Sequence, residues 1–378
     1  MNKETPLFKI YWDEDDVKAV TDVIKSGANW AIGENIEKFE KDLARYAGVK
    51  YALTFNSGTS ALHSLMIAYG FSPGDEIIVP SFTFIATANT PFFVGAKPVF
   101  ADIEEETFGL DPKDIEKRIT KKTRAIMPIH YGGSACKIRE IKKIAKKHNL
   151  ILIEDAAESL GARIGNKKVG TFGQAAMFSF CAPKVITTGE GGVVVTNSKD
   201  VYEKLKLIRS HGRAETENYF SSTCYMNYLA LGYNFRMSNI TAALGITQLQ
   251  KIEKIIKLRR QKASYLTKKL KDIKEILLPI PPQDYFHLYQ MYTIRIKSGI
   301  KRRDALKSHL NKNGIMAKVY YYPAHLTYFY KNKLKYKPFL PITEKISEQV
   351  LTLPMYPTLS KKEMDFMVQE VRKFFSKN

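Results

Sequence analysis

The feature that most limits what this chain can become is a series of short apolar segments between Tyr51 and Asn197, separated by helical or turn-forming stretches. The segments are YALTF, EIIVP, KPVFADI, RAIMPIHY, LILIEDA, AAMFSF and GGVVVTN. Most are apolar throughout and do not alternate, which is the pattern of strands buried on both faces of a largely parallel sheet. Between them, SGTSALHSLMIAYG repeats its apolar residues at helical spacing, and CKIREIKKIAKKHN reads as an amphipathic helix. Strands alternating with helices in this way predict an α/β architecture with helices on both faces of the sheet.

After Arg236 the texture changes. Ser238 to about Asp272 predicts a long basic helix or a pair of helices. HLYQMYTIRI and AKVYYYP then read as strands of a smaller α+β lobe, and KKEMDFMVQEVRKFF as a terminal amphipathic helix. A chain of 378 residues also exceeds what one hydrophobic core usually serves. We expect a large α/β domain over 1–245, the N-terminal segment included, and a small C-terminal α+β domain over 246–378.

Composition excludes several classes. Hydrophobic residues make up 44% and charged residues 26%, the balance of a soluble globular protein. Ile77 to Ala96 carries no charge and has the length of a bilayer span, but Pro80, Ser81, Asn89, Pro91 and its threonines read instead as strand, loop and helix start. MNKETPLFKI lacks the apolar core of a secretory signal. Cys136, Cys181 and Cys224 lie far apart without CxxC or metal spacing, which fits a reducing, cytoplasmic setting and no metal site. The formal net charge of +21 is compatible with a polyanionic partner or with steering of a phosphorylated substrate. Its lysines are nevertheless dispersed along amphipathic segments, with no helix-turn-helix or RNP signature. Solvated helix faces are therefore expected, and neither nucleic acid nor membrane as partner.

Three short motifs carry candidate chemistry. Asn56-Ser57-Gly58-Thr59-Ser60 follows a strand and opens a helix, where backbone amides bind anions; a plain N-capped turn reads equally well. Glu154-Asp155-Ala156-Ala157-Glu158 ends the strand LILI, the place where open α/β sheets bind ligands. A helix N-terminal carboxylate is the alternative there. Lys184 follows Pro183 in a turn between two apolar strands, an unusual position for a surface lysine in a chain otherwise rich in them.

Taken in order, SGTSAL, SFTFIATANT with GAKPVFADI, EDAAES, FSFCAPKVITTGEGG and LGYNFRMSN resemble the DegT/DnrJ/EryC1/StrS family of sugar aminotransferases. The resemblance runs from about Trp30 to Gln250 and continues more loosely to LPMYPTLS. It implies a fold-type I aminotransferase, with a mostly parallel seven-stranded sheet flanked by helices, and pyridoxal 5′-phosphate as cofactor. Lys184 matches the lysine that holds the cofactor as a Schiff base and then moves the proton. Asp155 matches the carboxylate facing the pyridine nitrogen. Gly58, Thr59 and Ser179 match phosphate ligands, and Asn234 a residue reaching the phosphate from the neighbouring subunit. Phe84 matches the aromatic that stacks on the ring; a core phenylalanine is the other reading. Glu158 matches a position near the cofactor 3-oxygen that is commonly glutamine, and a carboxylate there donates no hydrogen bond unless protonated.

His130, Arg213, Arg236 and His325 are candidate substrate contacts. Arginine forks suit carboxylate or phosphate, and His325 lies in a region resembling the family's sugar-contacting loops. For His130 a packed or hydrogen-bonded histidine is the alternative. The resemblance further implies a homodimer with shared sites and two half-reactions. These would move an amino group from L-glutamate to a nucleotide-linked keto-sugar, in surface-glycan or related biosynthesis. EDAAESLG, with Glu158, looks closer to the 4-aminotransferases and so suggests a 4-keto-6-deoxy sugar. Amination at C3, a sugar dehydratase of the same family and a basic regulatory or nucleic-acid-binding protein are the alternatives. Lys184 argues against the dehydratase, in which histidine typically replaces it.

Overall fold

The structure is a computed structural model and describes residues 4–213, 225 and 227–376. Cys224 lies outside these residues. All seven apolar segments form strands of one sheet: β1 (Tyr51–Phe55), β2 (Glu76–Pro80), β3 (Lys97–Ala101), β4 (Thr123–Ile126), β5 (Ile151–Asp155), β6 (Ala175–Ser179) and β7 (Gly192–Thr196). Their order is β1-β7-β6-β5-β4-β2-β3. Six strands run in one direction. β7 alone is antiparallel, paired with β1 (Tyr51↔Thr196) and with β6 (Ala175↔Thr196).

The side chains show why these runs lack alternation. Leu152, Phe178, Val193 and Val195 enter the core on one face, while Ile153, Met177 and Val194 enter the core on the other. Successive residues of a strand point to opposite faces, so a sheet covered on both sides needs apolar residues at nearly every position. The carboxyl ends of β1, β2, β5 and β6 lie at one edge of the sheet, as does the start of β7. The functional motifs follow those ends.

The basic segment after Arg236 is two helices, Asn239–Gln250 and Ile252–Leu270. At the junction the Lys251 ammonium lies 2.8 Å from Asp16 and also pairs with Asp13. A further core gathers Leu266, Ile294, Leu306, Leu351 and Met367 around a small antiparallel sheet. Its strands are β8 (Ile276–Leu277), β9 (Tyr292–Ile296) and β10 (Val350–Leu353), in that order. One expectation changes here. AKVYYYP is not a strand: its one ladder contact is a bridge between Lys318 and Thr352, while Tyr320 and Tyr321 pack against the cluster of Phe82, Ile103 and Tyr131 and Tyr322 is exposed. β10, too short to show a period, takes its place. The N-terminal segment joins this region, because Thr5 bridges Ile315 and the Leu7 carbonyl accepts from the Met355 amide. Among the described residues no helix is long and apolar enough to cross a membrane.

Candidate active site

Beyond β1 the chain enters the helix Gly58–Ala68 through a capping box. Ser57 Oγ accepts the Ser60 amide at 3.0 Å, while Ser60 Oγ takes the Ser57 amide at 3.2 Å. The cap occupies those two serines and leaves the first-turn amides at Gly58 and Thr59, at the positive end of an eleven-residue helix, along a cavity of about 380 Å³. Two glycines make room for this cradle. A Cβ on Gly58 would stand 3.1 Å from Met177 Sδ and 3.3 Å from Ser179 Cβ, and a Cβ on Gly192 would stand 2.6 Å from the Ser57 carbonyl oxygen. Ser179, at the end of β6, lines the same cavity.

β5 supplies two acidic residues with opposite fates. Asp155 lines the cavity and accepts a 2.6 Å hydrogen bond from Thr87 Oγ1. Burial pushes its pKa up, and the Thr87 hydroxyl and the Ala157 amide only partly offset that. Glu154 faces the interior. It meets His130 Nε2 at 2.9 Å and accepts the amides of Gly170, Phe172 and Gly173 at 2.7–2.8 Å. Burial alone would raise its pKa; the His130 contact and those amides outweigh it and hold the carboxyl below its ordinary value.

Lys184 sits in the turn after β6, its amide on the Cys181 carbonyl at 3.0 Å and its side chain largely buried in the cavity wall. Its Nζ lies 3.5 Å from Glu158 Oε1. Glu158 Oε2 accepts the Gly132 amide at 2.8 Å, and its Oε1 accepts the Tyr321 hydroxyl. Phe84 also faces the cavity and is 59% exposed, so it is not a core side chain.

Seven of the sequence candidates thus meet in one place: Gly58, Thr59, Phe84, Asp155, Glu158, Ser179 and Lys184. Five do not. His130 is fully buried, and both ring nitrogens are engaged, by Glu154 and by the Cys136 amide at 3.1 Å. It stands in an interior network and does not line this cavity. His325 is buried between Ser81 Oγ at 2.6 Å and Glu344 at 3.3 Å and does not line this cavity. Arg213 and Arg236 line a separate groove of about 690 Å³ beside Glu40 and Tyr202. That groove is larger but holds neither Lys184 nor Asp155. Asn234 is exposed, in a bridge to Ser210. The cavity also contains residues that sequence reasoning missed: Leu7, Phe8, Thr87, Gln290, Tyr320 and Tyr321. Thr87 alone had a local signal, the hydroxyl-rich stretch SFTFIATANT.

Residues 11–372 match the DegT/DnrJ/EryC1/StrS aminotransferase family. The chain belongs to that family. GDP-perosamine synthase of Vibrio cholerae is 35% identical over 382 residues, covering 98% of this chain and 99% of that protein. Among solved structures, the Helicobacter pylori aminotransferase PseC, involved in pseudaminic acid biosynthesis, superposes with a TM-score of 0.94 at 33% identity and full coverage of both chains. DesV of S. venezuelae gives 0.90 at 30% identity over 99% of each chain. The protein is a pyridoxal phosphate-dependent sugar aminotransferase of fold type I.

The cavity of this aminotransferase fits its cofactor. A helix N-terminus kept open by Gly58 and Gly192 suits a phosphate, a buried carboxylate at Asp155 suits a ring cation, and a lysine amine stands on the wall between them.

Proposed function

We propose that this aminotransferase transfers the amino group of L-glutamate to C4 of a nucleotide-linked 4-keto-6-deoxy sugar. The observation that carries the reading is the meeting of Lys184, Asp155 and Gly58 in one 380 Å³ cavity. The likeness to an enzyme named for a GDP-linked sugar supports the nucleotide, and Glu158 in EDAAESLG supports C4.

In this reading the chain divides the work as follows. Gly58, Thr59 and Ser179 would hold the cofactor phosphate, and Phe84 would pack on its ring. Asp155, ionised, keeps a proton on the ring nitrogen; the bound ring then serves as an electron sink for the substrate carbanion. Glu158 would stand near the cofactor 3-oxygen. Lys184 would hold the cofactor, and its amine would be the base that moves the substrate proton. Asn234 reaches the phosphate of a second copy in a homodimer, an arrangement that two-fold symmetry makes reciprocal.

A spectrophotometric screen tests this. The enzyme is first aminated with L-glutamate and then mixed with a panel of keto-sugar nucleotides. A 4-keto-6-deoxy sugar nucleotide should restore the aldehyde form of the cofactor, and product NMR should place nitrogen on C4. Nitrogen on C3, or no response to any keto-sugar nucleotide, would overturn the assignment.

A further inference from the structure

We propose that Tyr321 is a positioning residue for transamination: its hydroxyl holds the Glu158 carboxylate in place as the partner of the free Lys184 amine. The inference rests on reading Lys184 as the cofactor lysine, and nothing in the family match assigns a role to Tyr321.

The geometry starts from a carboxylate. Glu158 is 5% exposed, and a buried ionised carboxylate needs donors for both oxygens. Oε2 has the Gly132 amide at 2.8 Å; Oε1 has the Tyr321 hydroxyl and, at 3.5 Å, the Lys184 Nζ. One oxygen therefore touches the lysine on one side and the phenol on the other. Burial, and then the charge of Glu158, push the Tyr321 pKa well above its ordinary value, so the phenol stays a donor. Were it absent, Glu158 could rotate about its own side-chain bonds, and Lys184 would lose a fixed partner.

Tyr321 is itself firmly placed. Its ring packs edge-on against Phe82 and Tyr131, at centroid distances of 6.3 and 6.1 Å. The Tyr131 hydroxyl holds the neighbouring Tyr320 carbonyl at 2.6 Å and lies 3.2 Å from Thr293 Oγ1, which in turn meets Thr352 Oγ1 at 2.8 Å. β9 and β10 thus brace the tyrosine, while Glu158 and Lys184 follow β5 and β6. The Glu158–Tyr321 bond carries the position of one lobe to the amine in the other. It also answers the chemistry of a glutamate at this position, because an acceptor-only side chain is supplied here with the donor that it requires.

The test uses the whole protein in two states. In the cofactor-free protein, acetic anhydride labels lysine amines and peptide mass spectrometry reads the rate at Lys184. Tyr321→Phe should raise that rate by roughly 3-fold or more, because an amine without a fixed carboxylate more readily presents its lone pair. In the cofactor-loaded enzyme the same variant should lower kcat by roughly 10-fold, the scale of one charge-assisted hydrogen bond, and leave the sugar-nucleotide KM within about 2-fold. In a Glu158→Leu background Tyr321→Phe should change neither quantity further. Unchanged Lys184 labelling overturns the proposal, and so does an undiminished kcat loss in the Glu158→Leu background, which would put Tyr321 directly on the substrate. If Glu158→Leu fails to fold, labelling of Tyr321→Phe decides alone. Borohydride mapping of the loaded enzyme separates the two readings. An adduct on another lysine refutes the role of Lys184, while the labelling result still reports on the Tyr321–Glu158 pair.

Discussion

Asp155 and Glu154 are consecutive residues of β5 whose carboxylates face opposite sides of the sheet, one into the cavity beside Thr87 and one into a buried network with His130. Strand alternation makes them inequivalent, and their pKa values move in opposite directions from ordinary.

Asp155→Asn is expected to cost activity and to stabilise the cofactor-free protein. Without the charge the ring nitrogen is no longer held protonated, and kcat should fall by at least ~10²-fold. Burial raises the Asp155 pKa above 3.8, so the folded state binds the proton more tightly than the unfolded state. Stability therefore falls as pH rises from about 4 through the folded pKa. The variant should escape that loss: its melting temperature should exceed the parent's at pH 7, and the two should converge near pH 3. A near-normal kcat would mean that another carboxylate faces the ring.

Glu154→Gln should do the reverse. It weakens a buried carboxylate that His130 and three amides satisfy, and the expected cost is roughly 1–3 kcal/mol of folding stability. Its pKa is depressed from 4.5, so its stabilisation is present above about pH 4.5 and is lost as pH falls through the folded value. Chemical denaturation at pH 7 and pH 4 should show the gap between variant and parent narrowing with acid. Folded variant should keep kcat within a few-fold. A hundred-fold loss in fully folded protein would put Glu154 in the chemistry.

Gly192→Ala tests the cradle through space alone. Its added Cβ would lie 2.6 Å from one backbone oxygen and 2.7 Å from the Gly58 nitrogen, so β7 and the helix start must part. Pyridoxal phosphate affinity should fall about 10-fold or more, with ~1–3 kcal/mol of stability. Quenching of intrinsic fluorescence would report the affinity, and wild-type binding would show that the phosphate sits elsewhere.

Much of this was legible in the sequence, for a physical reason. Strands buried on both faces must be apolar throughout, so YALTF, EIIVP and LILIEDA announce themselves, and the motifs that follow them gather at one sheet edge. What resists reading is contact made by distant chain. Tyr321 meets Glu158 across 163 positions, and Gln290 meets the Pro183 carbonyl across 107. No periodicity encodes either meeting. His130 and His325 are candidates because one follows a strand and the other lies in a suggestive loop, and each ring is placed in a buried hydrogen-bond network. A neutral imidazole serves a buried polar network equally well, and only the packing around each ring tells the two uses apart.

The proposed homodimer predicts complementation. In that dimer Lys184→Ala and Asn234→Ala would lie in different subunits of one composite site, so a mixed dimer would have one site with both lesions and one with neither. Co-refolded variants should recover up to about half the wild-type rate per mixed dimer. This requires that Asn234→Ala alone be impaired. No recovery despite proven subunit exchange would return Asn234 to its own subunit's site.

The central claim is that Lys184 is the residue joined to the cofactor. Reduction of the loaded enzyme with borohydride, followed by protease digestion and mass spectrometry, tests it most directly. The account predicts one pyridoxyl-lysine adduct, on the peptide containing Cys181-Ala182-Pro183-Lys184, and no such adduct in Lys184→Ala, whose turnover should fall by at least ~10³-fold even where cofactor still binds. A reduced adduct on any other lysine, or full turnover in Lys184→Ala, would contradict it.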